Sequence, residues 1–285
     1  MPQADIAGPR ILVVDDDQEV RDALVPALAA RGWRVESAAG AEEGTLRLRA
    51  AAYDLVVVDL KDANGEGCAW LREARALRPS AKVLVMTAEN TPANVICAIR
   101  ENAFSYFSKP VAPWAVAEMV AQALEAPAWV DDIQVMSASP QWITLQVRCK
   151  METADRLVQF MRELKADLSA ELREDVAAAL RELLLNAIEH GGGSDPHKHI
   201  RVSYIRTARA VVYHIHDPGP GFSFNAIAHA AVANPPGEPV RHVEIRAGRG
   251  VRPGGFGILL TRHLVDELIY NEKGNEVLFV KYLKK

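Results

Sequence analysis

Cysteine is scarce in this chain of 285 residues, and the three present, Cys68, Cys97 and Cys149, lie far apart with no paired spacing. That pattern excludes a zinc site and a disulfide framework, and the three are read as reduced and structural. There is no uninterrupted apolar run long enough for a membrane span. The most apolar helical stretch, VAPWAVAEMVAQALEAPAWV, is broken by Glu118, Gln122, Glu125 and prolines, as in an amphipathic helix. The opening residues, MPQADIAGPR, have no apolar signal segment, so a cytoplasmic location is expected. With a net charge of -4 and no long run of Lys or Arg, the chain has no electrostatic footprint for nucleic acid. There is no internal repeat.

What is there is an ordinary globular composition, 49% hydrophobic and 25% charged, in a chain long enough for two compact units. From Ile11 to about Glu125, short apolar runs (ILVV, WRVESA, YDLVVVD, KVLVMT, FSYFSK) alternate with helical patterns near 18-31, 41-51, 66-77, 91-102 and 112-125. Strict alternation predicts a parallel five-stranded sheet covered on both faces, with functional residues at the carboxyl ends of the strands. LEAPAWVDD interrupts the rhythm with Pro127 and an acidic pair. A boundary at about 126-132 therefore divides the chain into 1-126 and 127-285.

Beyond the boundary, IQVMSASPQWITLQVRC reads as two strands, and METADRLVQFMRELKADL and AELREDVAAALRELLLNAIEH as two helices. HIRVSYIRTARAVVYHIHD reads as a hairpin, followed by a Gly/Pro/Arg-rich loop over about 219-254, a helix FGILLTRHLVDEL and a last strand EVLFVKYL. Elements grouped this way predict an α+β sandwich, with helices on one face of a mixed sheet.

Carboxylates gather at the strand ends of the first half. ILVVDDD ends a strand with Asp15, Asp16 and Asp17, and DLVVVDL ends another with Asp59. Acids brought together repel unless a cation neutralises them, and oxygen-only donors suit Mg²⁺. Two further strands end in a hydroxyl, Thr87, and an ammonium, Lys109. Metal, nucleophile and counter-charge are what phosphoryl transfer to a carboxylate requires.

Across residues 10 to about 125 this pattern resembles the receiver domain of two-component response regulators. The resemblance implies a flavodoxin-like (CheY-like) fold that accepts a phosphoryl group from a partner histidine kinase or phosphotransfer protein. It also implies Asp16 as a direct Mg²⁺ ligand supported by Asp15, and Asp59 as phosphoacceptor. Thr87 and Lys109 would contact the phosphate, Tyr106 would be the aromatic that turns inward on activation, and Asp17 would stand outside the site. Where the family often has Met-Pro after the phosphoacceptor, this chain reads LKDANGEG, with Asp62 and Ala63.

In RELLLNAIEHGGG, four-residue spacing puts Glu182, Asn186 and His190 on one helical face amid apolar residues. Polar groups buried there are costly unless something binds them. A partner motif stands in DPGPGF, where Asp217, Gly219 and Gly221 form D-x-G-x-G. Glycines let backbone approach closely, and an aspartate accepts a hydrogen bond from an exocyclic amine. GRGVRPGGFGILLTRH then joins a glycine-rich loop to a helix start, an anion site with Arg249 and Arg252 nearby.

In that order the motifs resemble the Bergerat (GHKL) ATP-binding fold of gyrase, MutL and histidine kinases over residues 133 to 285, with the closest match to anti-sigma factor serine/threonine kinases of the RsbW and SpoIIAB type. That resemblance implies Asn186 coordinating Mg²⁺ on ATP, Asp217 holding the adenine amine, and Gly219 and Gly221 shaping the pocket. Gly255 and Gly257 would meet the phosphates, with Arg249 and Arg252 both candidates for phosphate contact. Glu182 would be the general base that deprotonates an attacking hydroxyl. For His190 the expected role is to cap the helix end before Gly191.

All eight histidines lie at or after His190, so residues 110-189 hold no phosphorylatable histidine, which argues against a histidine autokinase. The resulting expectation is a response regulator whose output, an anti-sigma type serine/threonine kinase, is controlled at Asp59. Its partners would be an anti-sigma antagonist or sigma factor, with a homodimer plausible. The alternative is a non-catalytic ATP-binding module that sequesters a sigma factor or antagonist.

Overall fold

Runs of branched aliphatic residues build the first sheet. In the computed structural model, which describes residues 8-60, 66-126, 132-164, 168-221 and 257-283, they form β1 (Arg10–Val14), β2 (Arg34–Ala38), β3 (Leu55–Asp59), β4 (Lys82–Thr87) and β5 (Ser105–Ser108). The order is β2-β1-β3-β4-β5 with every pair parallel. Consecutive buried residues such as Leu55, Val56, Val57 and Val58 are the mark of a strand covered on both faces. The covering helices are α1 (Gln18–Ala29), α2 (Ala41–Ala50), α3 (Glu66–Leu77), α4 (Pro92–Arg100) and α5 (Pro113–Glu125). Leu24 and Leu28 of α1 and Val116 and Val120 of α5 pack on Ile11, Val13, Leu55 and Val57. Because β1 has β2 on one side and β3 on the other, the chain reverses direction there. The crevice at that reversal opens at the carboxyl ends of β1 and β3.

The chain divides into two compact units, residues 1-130 and 131-285. In the second, β6 (Ile133–Ser139) and β7 (Trp142–Arg148) precede α6 (Met151–Glu163) and α7 (Ala170–Asn186). A π-helical turn, Ala187–Gly191, then leads to β8 (His199–Arg206) and β9 (Ala210–His216). Next among the described residues come α8 (Gly257–Leu264), β10 (Glu267–Tyr270) and β11 (Glu276–Tyr282). The sheet is β10-β11-β9-β8-β7-β6 and all its pairs are antiparallel. This corrects the expected mixed sheet. Two successive helices between β7 and β8 return the chain to the end it left, so β8 runs back along its neighbour.

Two further expectations are corrected. The last helix stops at Leu264, and Glu267 and Leu268, expected in it, begin β10. Leu264, Val265 and Leu268 keep helical spacing, so spacing alone carries the helix past its end. The break is held by Asp266, whose N–H donates to the Val280 carbonyl at 2.9 Å and whose Oδ2 accepts from Tyr282 N at 2.5 Å. Lys281 Nζ caps the helix end by donating to Leu264 O at 2.6 Å. The cysteines are not all reduced: Cys68 of α3 and Cys97 of α4 form a disulfide, and only Cys149 is free and buried. Residues 29 apart in sequence meet because the two helices pack side by side, which spacing does not reveal.

Alternation along β7, β8 and β9 turns Ile143, Leu145, Val147, Ile200, Val202 and Ile215 inward. Three rings centre this core. Tyr204 and Tyr213 have centroids 5.2 Å apart, and Tyr213 stacks on Phe279 at 4.9 Å. Replacing Phe279, fully buried, by alanine is expected to destabilise the second unit by about 3–5 kcal/mol, measured by thermal or denaturant unfolding. At the entry to β6, buried Asp132 is ringed by Lys150 at 2.8 Å, Arg156 at 3.7 Å and Arg148 at 3.9 Å. Burial lowers the Arg156 pKa to about 10 despite that carboxylate. Among the described residues no helix is long and apolar enough to cross a membrane.

Candidate functional site

The first unit's polar cluster sits at the β1–β3 crevice. Oxygen atoms of Asp15, Asp16 and Asp59 all lie within 4.8 Å of one another. Asp15 is buried and Asp16 exposed, so the group opens to solvent on one side. Lys109 reaches in from beyond β5, its Nζ 2.7 Å from Asp15 Oδ2 and 2.9 Å from Asp59 Oδ2. Burial alone would lower the Lys109 pKa, but the hydrogen bonds to both acids outweigh it and the ammonium is held above its ordinary value. Three clustered carboxylates against one ammonium leave an excess of negative charge, and an all-oxygen donor set of this kind fits Mg²⁺.

Thr87, fully buried at the end of β4, donates to Leu60 O at 2.6 Å and accepts from Glu89 N at 3.0 Å. Its hydroxyl is therefore one strand away from Asp59, which β3 pairs with Met86. Tyr106, on β5, is fully buried. Asp17 stands apart as the cap of α1, its Oδ1 accepting from Glu19 N at 2.9 Å. Beside the cluster lies a pocket of about 210 Å³, walled by Gly40, Ala41, Gly67 and Trp70.

The second unit's cluster is built around α7 and the turn that follows. Glu182 and Asn186 are half-buried, and the start of α8 closes on them. A Cβ added to Gly257 would come within 2.6 Å of Glu182 Oε2 and 3.7 Å of Asn186 Nδ2. That puts the first described turn of α8 beside an amide and a carboxylate. Five residues on, a Cβ at Gly191 would meet the Asp217 carboxyl at 2.2 Å. One turn thus links the Asn186 end of the cleft to Asp217. Space for backbone against Asp217 exists only because Gly191 and Gly219 have no side chain; a Cβ on Gly219 would lie 2.8 Å from Asp217 Oδ1. Glycine-bounded polar space of this kind suits a phosphate-bearing ligand with an amine at its far end.

A model of the response regulator receiver domain matches residues 11–121, and one of the histidine kinase-like ATPase domain matches residues 147–281. The chain joins a receiver domain to a histidine kinase-like ATPase domain. Among curated relatives, the transcriptional regulatory protein ZraR of Escherichia coli is 35% identical over 101 residues, 35% of this chain and 23% of that protein. The acid tolerance regulatory protein ActR of Rhizobium meliloti is 31% identical over 109 residues, 38% of this chain and 56% of that protein. The chain thus spans between about a quarter and a little over half of the length of these relatives. A solved CheY-like receiver domain from Methanospirillum hungatei is 32% identical, covering 41% of this chain and 94% of its own, with a TM-score of 0.40.

In the ATPase domain His190 is exposed, off the Glu182–Asn186 stripe. The π-helical turn is the cause: Gly192 N donates to Ala187 O at 2.8 Å, five residues back, which rotates the chain away from the four-residue repeat. Gly221 borders the neighbouring turn. Its φ of +79° and the Lys273 carbonyl 1.9 Å from its would-be Cβ show that the close approach is to the β10–β11 turn. Arg249, Arg252 and Gly255 lie outside the described residues.

Sequence reasoning missed the turn that props Asp217. Asn275 is buried, its carbonyl accepts Asp217 N at 3.0 Å, and its Nδ2 donates to Asp217 O at 3.3 Å. Asn271 Oδ1 in turn accepts from Gly274 N at 2.7 Å and Asn275 N at 3.1 Å. The N-E-K-G-N-E string was the available signal, since Asn and Gly mark turns. Cys149 lies beneath, 2.3 Å from a Cβ at Gly192, and burial with the nearby Asp195 and Asp217 pushes its thiol up to about 11.

Burial raises the Asp217 pKa, only partly offset by the Gly219 N–H that donates to it at 2.8 Å. A carboxyl raised on folding binds more protons in the native state, so the domain loses stability as pH rises from the ordinary aspartate value through the raised one. Asp217→Asn removes that loss. The variant is expected to melt higher than wild type at neutral pH, with the difference vanishing in acid, while its affinity for adenine nucleotides falls; equal melting at both pH values would contradict this.

Proposed function

We propose that this chain is a response regulator in which phosphorylation of Asp59 controls an ATP-dependent protein serine/threonine kinase of the anti-sigma factor type. The observation that carries the reading is Glu182 one helical turn before Asn186, both facing the Gly257 start of α8. Mere nucleotide retention calls for an amide and helix N–H groups; a carboxylate beside them is the residue that a transfer reaction to a hydroxyl adds.

In the receiver, Asp59 is the nucleophile. A carboxylate oxygen forms the bond to phosphorus as the bond to the donor's imidazole nitrogen breaks, giving an acyl phosphate. Lys109 offers its ammonium to the incoming oxygens and Thr87 its hydroxyl, while Asp15 and Asp16 would hold Mg²⁺. When bound, that ion neutralises charge on the phosphoryl oxygens. Phosphodonor specificity belongs to a partner histidine kinase or phosphotransfer protein.

In the ATPase domain, Asp217 accepts from the adenine amine, and Asn186 supplies an oxygen toward the metal of Mg-ATP. Arg249, Arg252 and Gly255 are assigned to the phosphates with Gly257. Glu182 takes the proton from a serine or threonine hydroxyl of a protein substrate as that oxygen bonds to the γ-phosphorus and the bond to the β–γ bridging oxygen breaks, ADP leaving. The substrate class is an anti-sigma antagonist, in the cytoplasm, with a sigma factor or a second copy of the chain as further partners. Incubating the full chain with labelled ATP and its antagonist, with and without phosphorylation at Asp59, tests this. Label on serine or threonine that changes with Asp59 is expected; label on no hydroxyl in either state would overturn it.

A further inference from the structure

We propose that Cys68 and Cys97 are a thiol–disulfide switch in the receiver, whose oxidised form restrains the response at Asp59. This rests on Asp59 being the phosphoacceptor. The two cysteines belong to α3 and α4, the helices that follow Asp59 and Thr87 in the chain, and their Cα atoms are 5.9 Å apart. That is within the span a disulfide bridges without moving backbone. Cys97 is buried and Cys68 half-buried, so a small thiol or disulfide has its approach from the Cys68 side.

The pair ties α3 to a chain of hydrogen bonds that begins beside the phosphoacceptor. Leu60, next to Asp59, accepts from Thr87 Oγ1 at 2.6 Å, and Thr87 Oγ1 accepts from Glu89 N at 3.0 Å. The Glu89 carbonyl accepts from Asn94 Nδ2 at 2.7 Å, and Asn94 lies one turn before Cys97 on α4. Cys97 returns through the disulfide to Cys68 of α3. A hydroxyl has a single proton to donate. For Thr87 to bond to a phosphoryl oxygen on Asp59 it must release Leu60, which opens the Leu60–Thr87 link while Thr87 stays tied through Glu89 and Asn94 to α4. With the disulfide closed, α4 stays fixed to α3; with two thiols that covalent restraint is gone. The exposed Arg72–Glu101 ion pair, at 3.0 Å, and Arg75 Nη1, which donates to Glu101 O at 2.7 Å, also join α3 to the end of α4, but both act at its last turn and neither is covalent.

The chemistry balances with a low-molecular-weight disulfide. The two thiols lose two protons and two electrons through a mixed disulfide at Cys68, and the small disulfide leaves as two thiols; excess small thiol reverses the exchange.

The test uses the full chain poised in oxidised or reduced glutathione. Free thiols are trapped with N-ethylmaleimide and Cys68–Cys97 peptides are scored by mass, while calorimetry with Mg²⁺ reads the apparent affinity for beryllofluoride, a phosphoryl analogue. Linked peptide is expected only under oxidising conditions, with affinity about fivefold or more weaker than in the reduced chain. The Cys68→Ser, Cys97→Ser double variant is expected to bind alike in both buffers. No linked peptide, equal affinities, or the same redox difference in the double variant would each overturn the switch. Linked peptide with no beryllofluoride binding in either state would instead sink the Asp59 reading on which the switch stands, and the switch with it.

Discussion

Replacing Glu182 by glutamine is expected to lower phosphoryl transfer to a protein hydroxyl by roughly 10²–10⁴-fold while leaving nucleotide affinity nearly unchanged. Glutamine keeps the length of the side chain and a hydrogen-bonding oxygen facing Gly257, so the Asn186 end of the cleft retains its shape. What it loses is the capacity to take a proton. The two readings of the domain part here. If it works by transfer, signalling fails with Glu182→Gln; if it works by holding a partner in a nucleotide-dependent shape, signalling persists because no base is needed. Initial rates of substrate labelling, set beside calorimetric nucleotide binding, check both. A variant rate within roughly threefold of wild type would remove Glu182 from the chemistry.

Asp59→Asn has an equally large expected effect in the receiver: incorporation of phosphoryl from any donor falls to the detection floor, because an amide is not the nucleophile that a carboxylate is. The same change has an opposite expected effect on stability. Asp15, Asp16 and Asp59 crowd within 4.8 Å around one ammonium, so removing one carboxylate relieves repulsion. Asp59→Asn is therefore expected to raise the receiver's melting temperature without Mg²⁺ and to weaken Mg²⁺ binding. Intact-protein mass after exposure to a phosphodonor, with melting curves at graded Mg²⁺, reads the two effects. A variant that still gained phosphoryl would place the acceptor elsewhere.

Much of the architecture was legible because both units obey simple periods. Continuous aliphatic runs ending in Asp, Asp, Thr and Lys predicted a parallel sheet and the rim where those residues meet, and the hydrogen-bonded Asp15–Lys109–Asp59 group lies there. Alternation predicted β7, β8 and β9. The misses have physical causes. Leu268 continues the helical spacing of Leu264 and Val265, and the Asp266 bonds override it. A π-helical turn adds a residue that no periodic reading of RELLLNAIEHGGG includes, and His190 swings out. Contact between Cys68 and Cys97 depends on how α3 and α4 pack, and the propping of Asp217 by Asn271 and Asn275 depends on a turn some sixty residues away in the chain.

The central claim is that the cleft between Asn186 and Asp217 holds a magnesium nucleotide, and calorimetric titration of ATP into the full chain tests it most directly. Saturable one-site binding that requires Mg²⁺ is predicted, weakened by about tenfold or more in Gly191→Ala, whose added methyl would overlap the Asp217 carboxyl. No heat of binding in the folded wild-type chain, with or without Mg²⁺, would contradict the account.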